Sequence, residues 1–411
     1  MKTLRLLFLF SFIFLIWSCQ KDNDGTPPKY VGQYLKSYEK VKSYSKESAQ
    51  SLLTFASLQY PELATVADKI VSGVDVYTIE YESEYTNGNS ILLSGIVISP
   101  NSLGHEALLL SFQNGTIVKN TSAPSVDLSD PIKSILHVVA GMGMVICIPD
   151  NIGFGSSTDY MHPYLCKSLF QSTIVDMIKA VDEMDQNNIL PVALSGDLYL
   201  SGYSLGGWAS LVAHKKIEDS PLTGFNLIGS SCGAGSYDLV EMKDYIFQST
   251  DFVEPFYVPY IITGFMSAGE IPESNLSLYF NSPYSDVIPS LFDRQHSSDQ
   301  INEQLTPNMQ ELLNSELIQG FDADPNYQPL KQALINNSQY AWINEKPIHL
   351  YHGTNDIHVP YSISVNTYQA FVNLGQGPDK IKFTPLEGKD HTSGVIPMYV
   401  HVLDEISDVL Q

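Results

Sequence analysis

The sequence predicts an α/β fold in which helices flank a mostly parallel central sheet, with one long insertion. Continuous apolar runs at residues 108–112 and 145–148 are typical of parallel strands that are covered on both faces. Apolar residues at helical spacing lie between such runs, and strands that alternate with helices indicate a parallel sheet. The alternation stops between about residues 238 and 345, where Tyr, Phe, Pro and Ser are frequent. A stretch of this length between two core strands predicts a cap or lid.

The predicted elements follow one another along the chain. Residues 30–73 are predicted to be helical, because apolar residues from Leu52 to Leu58 form a stripe and Pro61 marks a second helix start. Residues 74–84 and 90–98 alternate as strands do, and Asn87-Gly88 between them is a strong hairpin signal. Further strands are predicted at residues 197–201, 225–228, 347–351 and 381–383, and helices at residues 166–188, at 207–214 and around Val400.

The first residues have the composition of a targeting segment. Lys2 and Arg5 precede an apolar run at residues 6–17, which is too short for a bilayer span of about 20 residues. Ile16-Trp17-Ser18-Cys19 then resembles the lipobox of bacterial lipoproteins, in which the cysteine becomes the first mature residue and carries lipid. An ordinary signal peptide is the alternative. The lipobox interpretation predicts an extracytoplasmic protein, anchored to a bacterial membrane only through lipid on Cys19.

The domain organisation follows from these segments. Residues 1–18 are predicted to be a lipoprotein signal peptide, and residues 19–30, which are polar and contain Pro and Gly, a flexible tether. Residues 31–237 and 346–411 are predicted to form the core, with an N-terminal helical extension. Residues 238–345 are predicted to form the cap inserted into it.

Composition excludes several classes of function. The net charge of −23 argues against binding of nucleic acid, or of an anionic membrane surface, by the folded part. Neither GxxxxGK nor GxGxxG occurs, so nucleotide binding is not expected. Cys147, Cys166 and Cys232 are odd in number and lack metal-binding spacing, which leaves one disulfide between two of them open. We expect neither a metal nor an organic cofactor.

The segment Gly202-Tyr203-Ser204-Leu205-Gly206 carries the strongest signal for catalysis. It follows an apolar run and precedes small and apolar residues, which predicts a strand, a sharp turn and a helix. This is the pattern of a nucleophile elbow, whose Ser hydroxyl is held out at the tip. Gly229-Ser230-Ser231-Cys232-Gly233 also fits the pattern, but the Gly-rich residues after it are a poor start for a helix. Ser204 is therefore the predicted nucleophile, and Ser231 is interpreted as part of a strand end.

A Ser hydroxyl needs a base, usually a His that a carboxylate orients. After an elbow these partners follow in the order Ser, acid, His. Asp356 is the predicted acid, because it lies just past a predicted strand, where open α/β sheets form their sites. Asp379 and Glu387 are rivals with a weaker strand context. His391, in the turn after the strand at residues 381–383, is the predicted base.

The other histidines near the C-terminus fit this role less well. His358 is only two residues from Asp356, which is too near along the chain to bridge to Ser204. His401 has the pattern of the last helix, and His352 is interpreted as a structural cap of the turn around Asp356.

An ester or amide hydrolase also needs two N–H donors for the oxyanion. One is predicted to be the amide of Leu205, directly after the nucleophile, and the other an amide in the loop after an early strand. That loop is Asn114-Gly115-Thr116, in which we favour the amide of Thr116, with Gly115 permitting the turn. A plain turn is the alternative for this loop.

These motifs together resemble the α/β-hydrolase superfamily, specifically its secreted lipase and esterase branch with a large cap. The resemblance runs from about residue 74 to the C-terminus, and its motifs are residues 112–116, 148–155, 162–164, 202–206, 352–356 and 388–391. That branch usually has His-Gly-Thr where this chain has Asn114-Gly115-Thr116, a change that a backbone donor tolerates. Asp150 matches a structural position of the family and is expected to brace the nearby turn.

The resemblance implies a serine hydrolase of carboxylic esters that works through an acyl-enzyme on a small-molecule or glycan ester. A serine peptidase of the aminopeptidase type, which would use the same three residues, is the alternative. A binding protein on an inactive hydrolase fold is disfavoured, because candidates for all three catalytic residues are present.

Overall fold

The structure, a computed structural model, describes residues 32–129 and 131–410. The predictions for residues 1–31, which include the signal peptide, the tether and Cys19, lie outside these residues. Within the described ranges, no helix combines the length and the hydropathy that a bilayer crossing requires.

A nine-stranded sheet with the order β1-β2-β3-β5-β4-β6-β7-β8-β9 organises the described residues. The strands β1 to β3 are antiparallel to their neighbours, and β3 is antiparallel to β5. From β5 onward every neighbouring pair is parallel, which confirms the predicted mostly parallel sheet. The strands are β1 (Leu35–Tyr44), β2 (Val74–Glu84), β3 (Ser90–Pro100), β4 (Ala107–Gln113), β5 (Met144–Pro149), β6 (Leu194–Tyr203), β7 (Asn226–Gly233), β8 (Ile348–Gly353) and β9 (Ile381–Leu386).

Helices cover the sheet and fill the insertion. The core helices are α1 (Lys46–Ala56), α2 (Ala64–Ala67), α3 (Pro131–Val139), α4 (Lys167–Gln186) and α5 (Leu205–Asp219). The helices of the insertion are α6 (Leu239–Gln248), α7 (Tyr257–Ala268), α8 (Tyr284–Leu291), α9 (Ser298–Asn302), α10 (Met309–Leu312), α11 (Ser315–Gly320) and α12 (Gln328–Asn337). The core ends with α13 (Tyr361–Asn373) and α14 (Val395–Val409). Short 3₁₀ helices lie at Pro61–Leu63, Thr86–Gly88, Asn120–Ser122, Ala140–Met142, Gly155–Ser157, Leu276–Leu278 and Pro325–Tyr327.

Both faces of the sheet are buried, as the continuous apolar strands require. Leu109 of β4 belongs to one hydrophobic cluster, together with Ile174 of α4. The neighbouring Leu110 belongs to the second cluster, together with Val138 of α3 and Met398 of α14. Successive strand side chains therefore enter opposite layers of helices, and the sheet is the middle layer of three.

The N-terminal region differs from the prediction. The helical prediction for residues 30–73 was wrong for its first part, because Leu35–Tyr44 forms an edge strand antiparallel to β2. A register shift between Lys40 and Lys42 breaks the two-residue period of this strand. Val41 and Tyr44, three residues apart, consequently pack against the same cluster, which gives the strand a helix-like spacing.

The structure decides whether any two of the three described cysteines form a disulfide. Cys147, Cys166 and Cys232 are all buried and unpaired. The disulfide that the sequence left open is therefore not formed among these three residues. Burial raises the pKa of the Cys147 thiol to about 12, as expected of a small core residue.

The insertion between β7 and β8 is helical and continuous with the core. Its buried aromatic residues Phe252, Phe265 and Phe280 belong to the same hydrophobic cluster as one face of the sheet. The two ends of the insertion are joined by a hydrogen bond of 2.9 Å from the Leu239 amide to Ser338 Oγ. The stretch in which strand and helix patterns ceased to alternate is thus a layer of short helices packed onto the core.

Candidate active site

Ser204 lies at the tip of a sharp turn between β6 and α5. Its φ of 59° and ψ of −123° are unusual for a residue with a side chain, and such strain is typical of functional turns. The turn is possible because Gly202 and Gly206 lie against each other and against the end of β4. A Cβ on Gly206 would lie 2.8 Å from the Gln113 carbonyl carbon and 3.0 Å from the Asn114 carbonyl oxygen. Any larger residue at position 206 would therefore push the turn away from the neighbouring strand.

Ser204, His391 and Asp356 form a hydrogen-bonded trio at the carboxyl ends of β6, β8 and β9. His391 Nε2 lies 2.9 Å from Ser204 Oγ, and His391 Nδ1 lies 2.6 Å from Asp356 Oδ2. A carboxylate accepts only, so Nδ1 carries the ring proton and Nε2 is free to accept the proton of the Ser204 hydroxyl. The three residues that the sequence nominated are thus brought together, and the contact between His391 and Ser204 has the geometry that proton transfer needs.

Four donors surround the Asp356 carboxylate. Oδ1 accepts from the backbone amides of His358 and Val359, at 2.9 and 3.0 Å. Oδ2 accepts from His391 and, at 3.1 Å, from Nε2 of the fully buried His352. Burial opposes the charge of Asp356, but the hydrogen bonds from His352 and His391 outweigh it and hold the pKa of the carboxyl below its ordinary value. Asp356 is therefore ionised and fixed in orientation.

The two histidines near Asp356 contribute more than the sequence predicted. His352 was interpreted as a cap of the turn, and in the structure it contacts Asp356 directly, with its Nδ1 2.6 Å from Ser364 Oγ. His358 stacks on His391, with ring centroids 4.9 Å apart and planes inclined by 6°. Burial and the neighbouring His391 lower the pKa of His358, so a neutral ring covers the face of His391.

The loop expected to supply an oxyanion donor lies beside the elbow. A Cβ on Gly115 would lie 3.6 Å from the Tyr203 carbonyl oxygen, so the loop contacts the residue before Ser204. The side chain of Thr116 is fixed by a hydrogen bond of 2.8 Å with the Tyr164 hydroxyl. Leu205 is the first residue of α5, where an amide N–H has no partner within the helix. The loop at residues 114–116 therefore lies beside the residue before Ser204, and Leu205 follows Ser204 directly; their role as oxyanion donors stays a prediction.

A cavity of about 190 Å³ adjoins this loop. Asn114, Gly115 and Thr116 line it on one side, and His137 of α3 lines it on another. The ring of His137 is buried, and neither of its nitrogens has a hydrogen-bond partner among the described residues. Burial lowers the pKa of His137 to about 4, so the ring is neutral near neutral pH.

The alternatives that the sequence offered lie elsewhere. Ser231 is inside β7, fully buried, and its Oγ lies 2.8 Å from the Tyr199 hydroxyl. Asp379 and Glu387 are exposed, and His391 contacts Asp356 instead of either of them. His401 is also exposed and stacks on Tyr351.

Asp150 is fully buried, as expected of a brace. It accepts from Ser94 Oγ at 2.6 Å and from the Ser125 amide at 2.8 Å, and its side chain also contacts the Ser125 hydroxyl. Through these contacts, Asp150 at the end of β5 is joined to Ser94 of β3 and to Ser125, which follows the loop at residues 114–116.

Comparison with solved structures identifies the architecture. A protein from Legionella pneumophila assigned as a hydrolase superimposes with a TM-score of 0.78 at 23% identity, covering 92% of this chain and 97% of that one. The rice cell wall degrading esterase LipA from Xanthomonas oryzae superimposes with a TM-score of 0.75 at 20% identity, covering 93% and 98%. The chain has an α/β-hydrolase fold. Candida antarctica lipase A in its closed state is similar at a TM-score of 0.62 and 17% identity, over 91% of this chain and 80% of that one.

Comparison of the sequence with protein families and with curated proteins gave no match. At the identities of the structural matches the likeness concerns the fold, and the chemistry of the site is argued from its own residues.

Proposed function

We propose that the protein is a serine hydrolase of carboxylic esters. The observation that carries the proposal is the hydrogen-bonded trio, in which Asp356, His391 and Ser204 follow one another at 2.6 and 2.9 Å. A carboxylate, an imidazole and a hydroxyl in this order are the groups that activate a Ser nucleophile. Esterases and lipases among the structural neighbours support the same reaction class.

The proposed reaction has two halves. In the first, Ser204 Oγ attacks the ester carbonyl while His391 Nε2 takes the hydroxyl proton, and Asp356 stabilises the resulting imidazolium. The carbonyl oxygen becomes an oxyanion, which accepts hydrogen bonds from the amides of Leu205 and Thr116. The tetrahedral intermediate then collapses, the alkoxide leaves with the proton from His391, and Ser204 keeps the acyl group. In the second half water attacks the acyl-enzyme, His391 takes its proton, and the acid is released as the Ser204 hydroxyl is restored.

The substrate is proposed to be a small-molecule or glycan ester, as the resemblance to lipases and esterases implies. The reaction as written requires neither a metal nor an organic cofactor.

Ester turnover in matched variants tests the proposal. We expect hydrolysis of p-nitrophenyl acetate and covalent labelling by a fluorophosphonate in the wild type, and loss of both in Ser204→Ala. Ser231→Ala is the matched control, because Ser231 also occupies a GxSxG pattern but lies inside β7. If Ser231→Ala abolishes labelling and Ser204→Ala does not, the assignment is wrong. Faster turnover of aminoacyl p-nitroanilides than of esters would instead favour the peptidase.

We also propose that the protein is a lipoprotein held at the periplasmic face or the cell surface through Cys19. The support is the order of charged, apolar and lipobox-like segments in residues 2–19. Metabolic labelling with an alkyne fatty acid in a bacterial host should mark the wild type and not Cys19→Ser. Equal labelling of the two proteins would refute the anchor without touching the hydrolase proposal.

A further inference from the structure

The loop after β4, residues 114–120, is called the oxyanion loop below, and the insertion between β7 and β8 is called the cap. The cap contacts the oxyanion loop from outside. Tyr260 of α7 is almost fully buried, and its hydroxyl donates a hydrogen bond of 2.9 Å to the carbonyl oxygen of Ile117. Ile117 directly follows Thr116, whose amide is the second donor proposed for the oxyanion. Further along the loop, the Asn120 amide donates to the carbonyl oxygen of Arg294, also in the insertion, at 2.8 Å. Two backbone groups of the loop therefore have their partners in the cap.

The Tyr260 ring is fixed in an aromatic stack. Tyr164 lies on one side of it, with centroids 4.6 Å apart, and Phe292 on the other, at 4.8 Å with planes inclined by 2°. Tyr164 in turn contacts the Thr116 side chain through its hydroxyl at 2.8 Å. The stack thus reaches the loop at two adjacent residues, once through Tyr164 and once through Tyr260.

Helix α7 is in close contact with the core at this place. A Cβ on Gly264, one turn after Tyr260, would lie 2.6 Å from the backbone nitrogen of Tyr164. The two backbones approach so closely that nothing larger than Gly fits without a shift. A cap that swung away would break this contact, unstack Tyr260 and remove the hydrogen bond that fixes the Ile117 carbonyl.

We propose that Tyr260 is a positioning residue for the oxyanion loop. Because this role requires the contact between Tyr260 and the loop, the cap stays packed on the core while the reaction proceeds. The cap is then a fixed part of the protein and not a lid that must open for activity. The proposal rests on the ester hydrolase function proposed above. Tyr260 does not touch the reacting atoms; it acts through the loop that presents the Thr116 amide.

The test compares two Tyr-to-Phe variants in the full chain. Tyr260→Phe keeps the ring stack and removes only the hydroxyl. Tyr81→Phe is the matched control, because Tyr81 is also fully buried and donates to a backbone carbonyl, that of Thr173, at 3.1 Å, in the core away from the site. Both variants should lose some thermal stability, since each loses one hydrogen bond from a Tyr hydroxyl to a backbone carbonyl.

Their kinetics should separate them. With p-nitrophenyl acetate we expect kcat of Tyr260→Phe to fall about tenfold with KM within about twofold, since a displaced oxyanion donor weakens binding of the transition state and not of the ester. Inactivation by a fluorophosphonate should slow by a similar factor, because its phosphoryl oxygen uses the same donors. Tyr81→Phe should match the wild type in both measurements.

Two results would overturn the proposal. One is equal kcat in Tyr260→Phe and Tyr81→Phe. The other is a sharp rise in wild-type rate where tributyrin exceeds its solubility, since that rise marks a cap that opens at an interface. A wild type without ester turnover or labelling would instead overturn the hydrolase function itself, and the role of Tyr260 with it.

Discussion

Substitution of Gly206 by Ala tests whether the elbow and the oxyanion loop act as one unit. The added Cβ would lie 2.8 Å from the Gln113 carbonyl carbon and closer still to its oxygen, whereas ordinary contact begins at 3.4 Å. Both contacting groups are backbone, so no side chain can turn away to make room. The elbow and the end of β4 must therefore separate by at least 0.6 Å, the difference between 3.4 and 2.8 Å.

This separation acts directly on the site, because Gly206 is two residues from Ser204 and Gln113 is three residues from Thr116. A misplacement of about 1 Å among catalytic groups can cost about 10² in rate. We therefore expect kcat for p-nitrophenyl acetate to fall about 100-fold in Gly206→Ala. Overpacking of this kind should also lower the free energy of unfolding by about 1–3 kcal/mol.

Gly104→Ala is the control for the substitution itself. A Cβ on Gly104 would meet nothing within 4 Å, so this variant should match the wild type in kcat and in stability. Steady-state rates should be divided by the concentration of fluorophosphonate-titrated sites, so that misfolded protein does not count as slow enzyme. A kcat for Gly206→Ala within about twofold of the wild type would refute the reasoning, since the loop would then tolerate displacement from the elbow.

Two further predictions concern buried polar groups. The hydroxyl of Tyr203 is buried without a hydrogen-bond partner among the described residues. Tyr203→Phe should therefore leave the free energy of unfolding, measured by urea denaturation, unchanged or raise it by about 1 kcal/mol. A decrease of more than about 1 kcal/mol would contradict this prediction. Glu218 accepts hydrogen bonds from Trp342 Nε1 and from the amides of Glu345 and Lys346, where the insertion returns to the core, at 2.7 to 2.8 Å. Although burial opposes its charge, hydrogen bonds from His214, Trp342 and the Lys346 amide lower the pKa of Glu218 to about 2. Glu218 therefore stabilises the fold above its ordinary pKa of 4.5, and this contribution is lost as pH falls toward 2. Glu218→Gln should show a shallower loss of stability between pH 4.5 and 2 than the wild type in acid titrations followed by circular dichroism, and equal slopes would refute the assignment.

Local signals in the sequence predicted the parts of the site that depend on backbone chemistry. Only glycines fit two positions before and two positions after Ser204, so the sequence pattern and the structural constraint are the same. Asp356 and His391 were found through chain order, since each follows a strand whose carboxyl end reaches the same edge of the sheet. The structure brings the three together, and their catalytic roles remain predictions.

Two features could not be predicted from neighbouring residues in the sequence, because they depend on contacts between distant positions. The contact between Tyr260 and Ile117 joins positions 143 residues apart. Nothing in the neighbouring sequence distinguishes Tyr260 from the other aromatic residues of the insertion; only its contacts in the folded protein do. The edge strand β1 was missed for a related reason. The helical prediction rested on the stripe from Leu52 to Leu58 and on Pro61, which follow β1 in the chain, and only pairing with β2 makes Leu35–Tyr44 a strand.

The topology explains why the cap and the oxyanion loop meet. In a parallel sheet every strand delivers its following loop to the same edge, and here β4, β6, β8 and β9 deliver Thr116, Ser204, Asp356 and His391. The insertion leaves from β7, which lies between β6 and β8, so it emerges at that edge between the nucleophile and the acid. The insertion packs onto the core, and its helix α7 contacts the loop after β4 through the hydrogen bond from Tyr260 to Ile117. Contact between a cap and the oxyanion loop is therefore a consequence of where the insertion begins, and Tyr260 makes that contact specific.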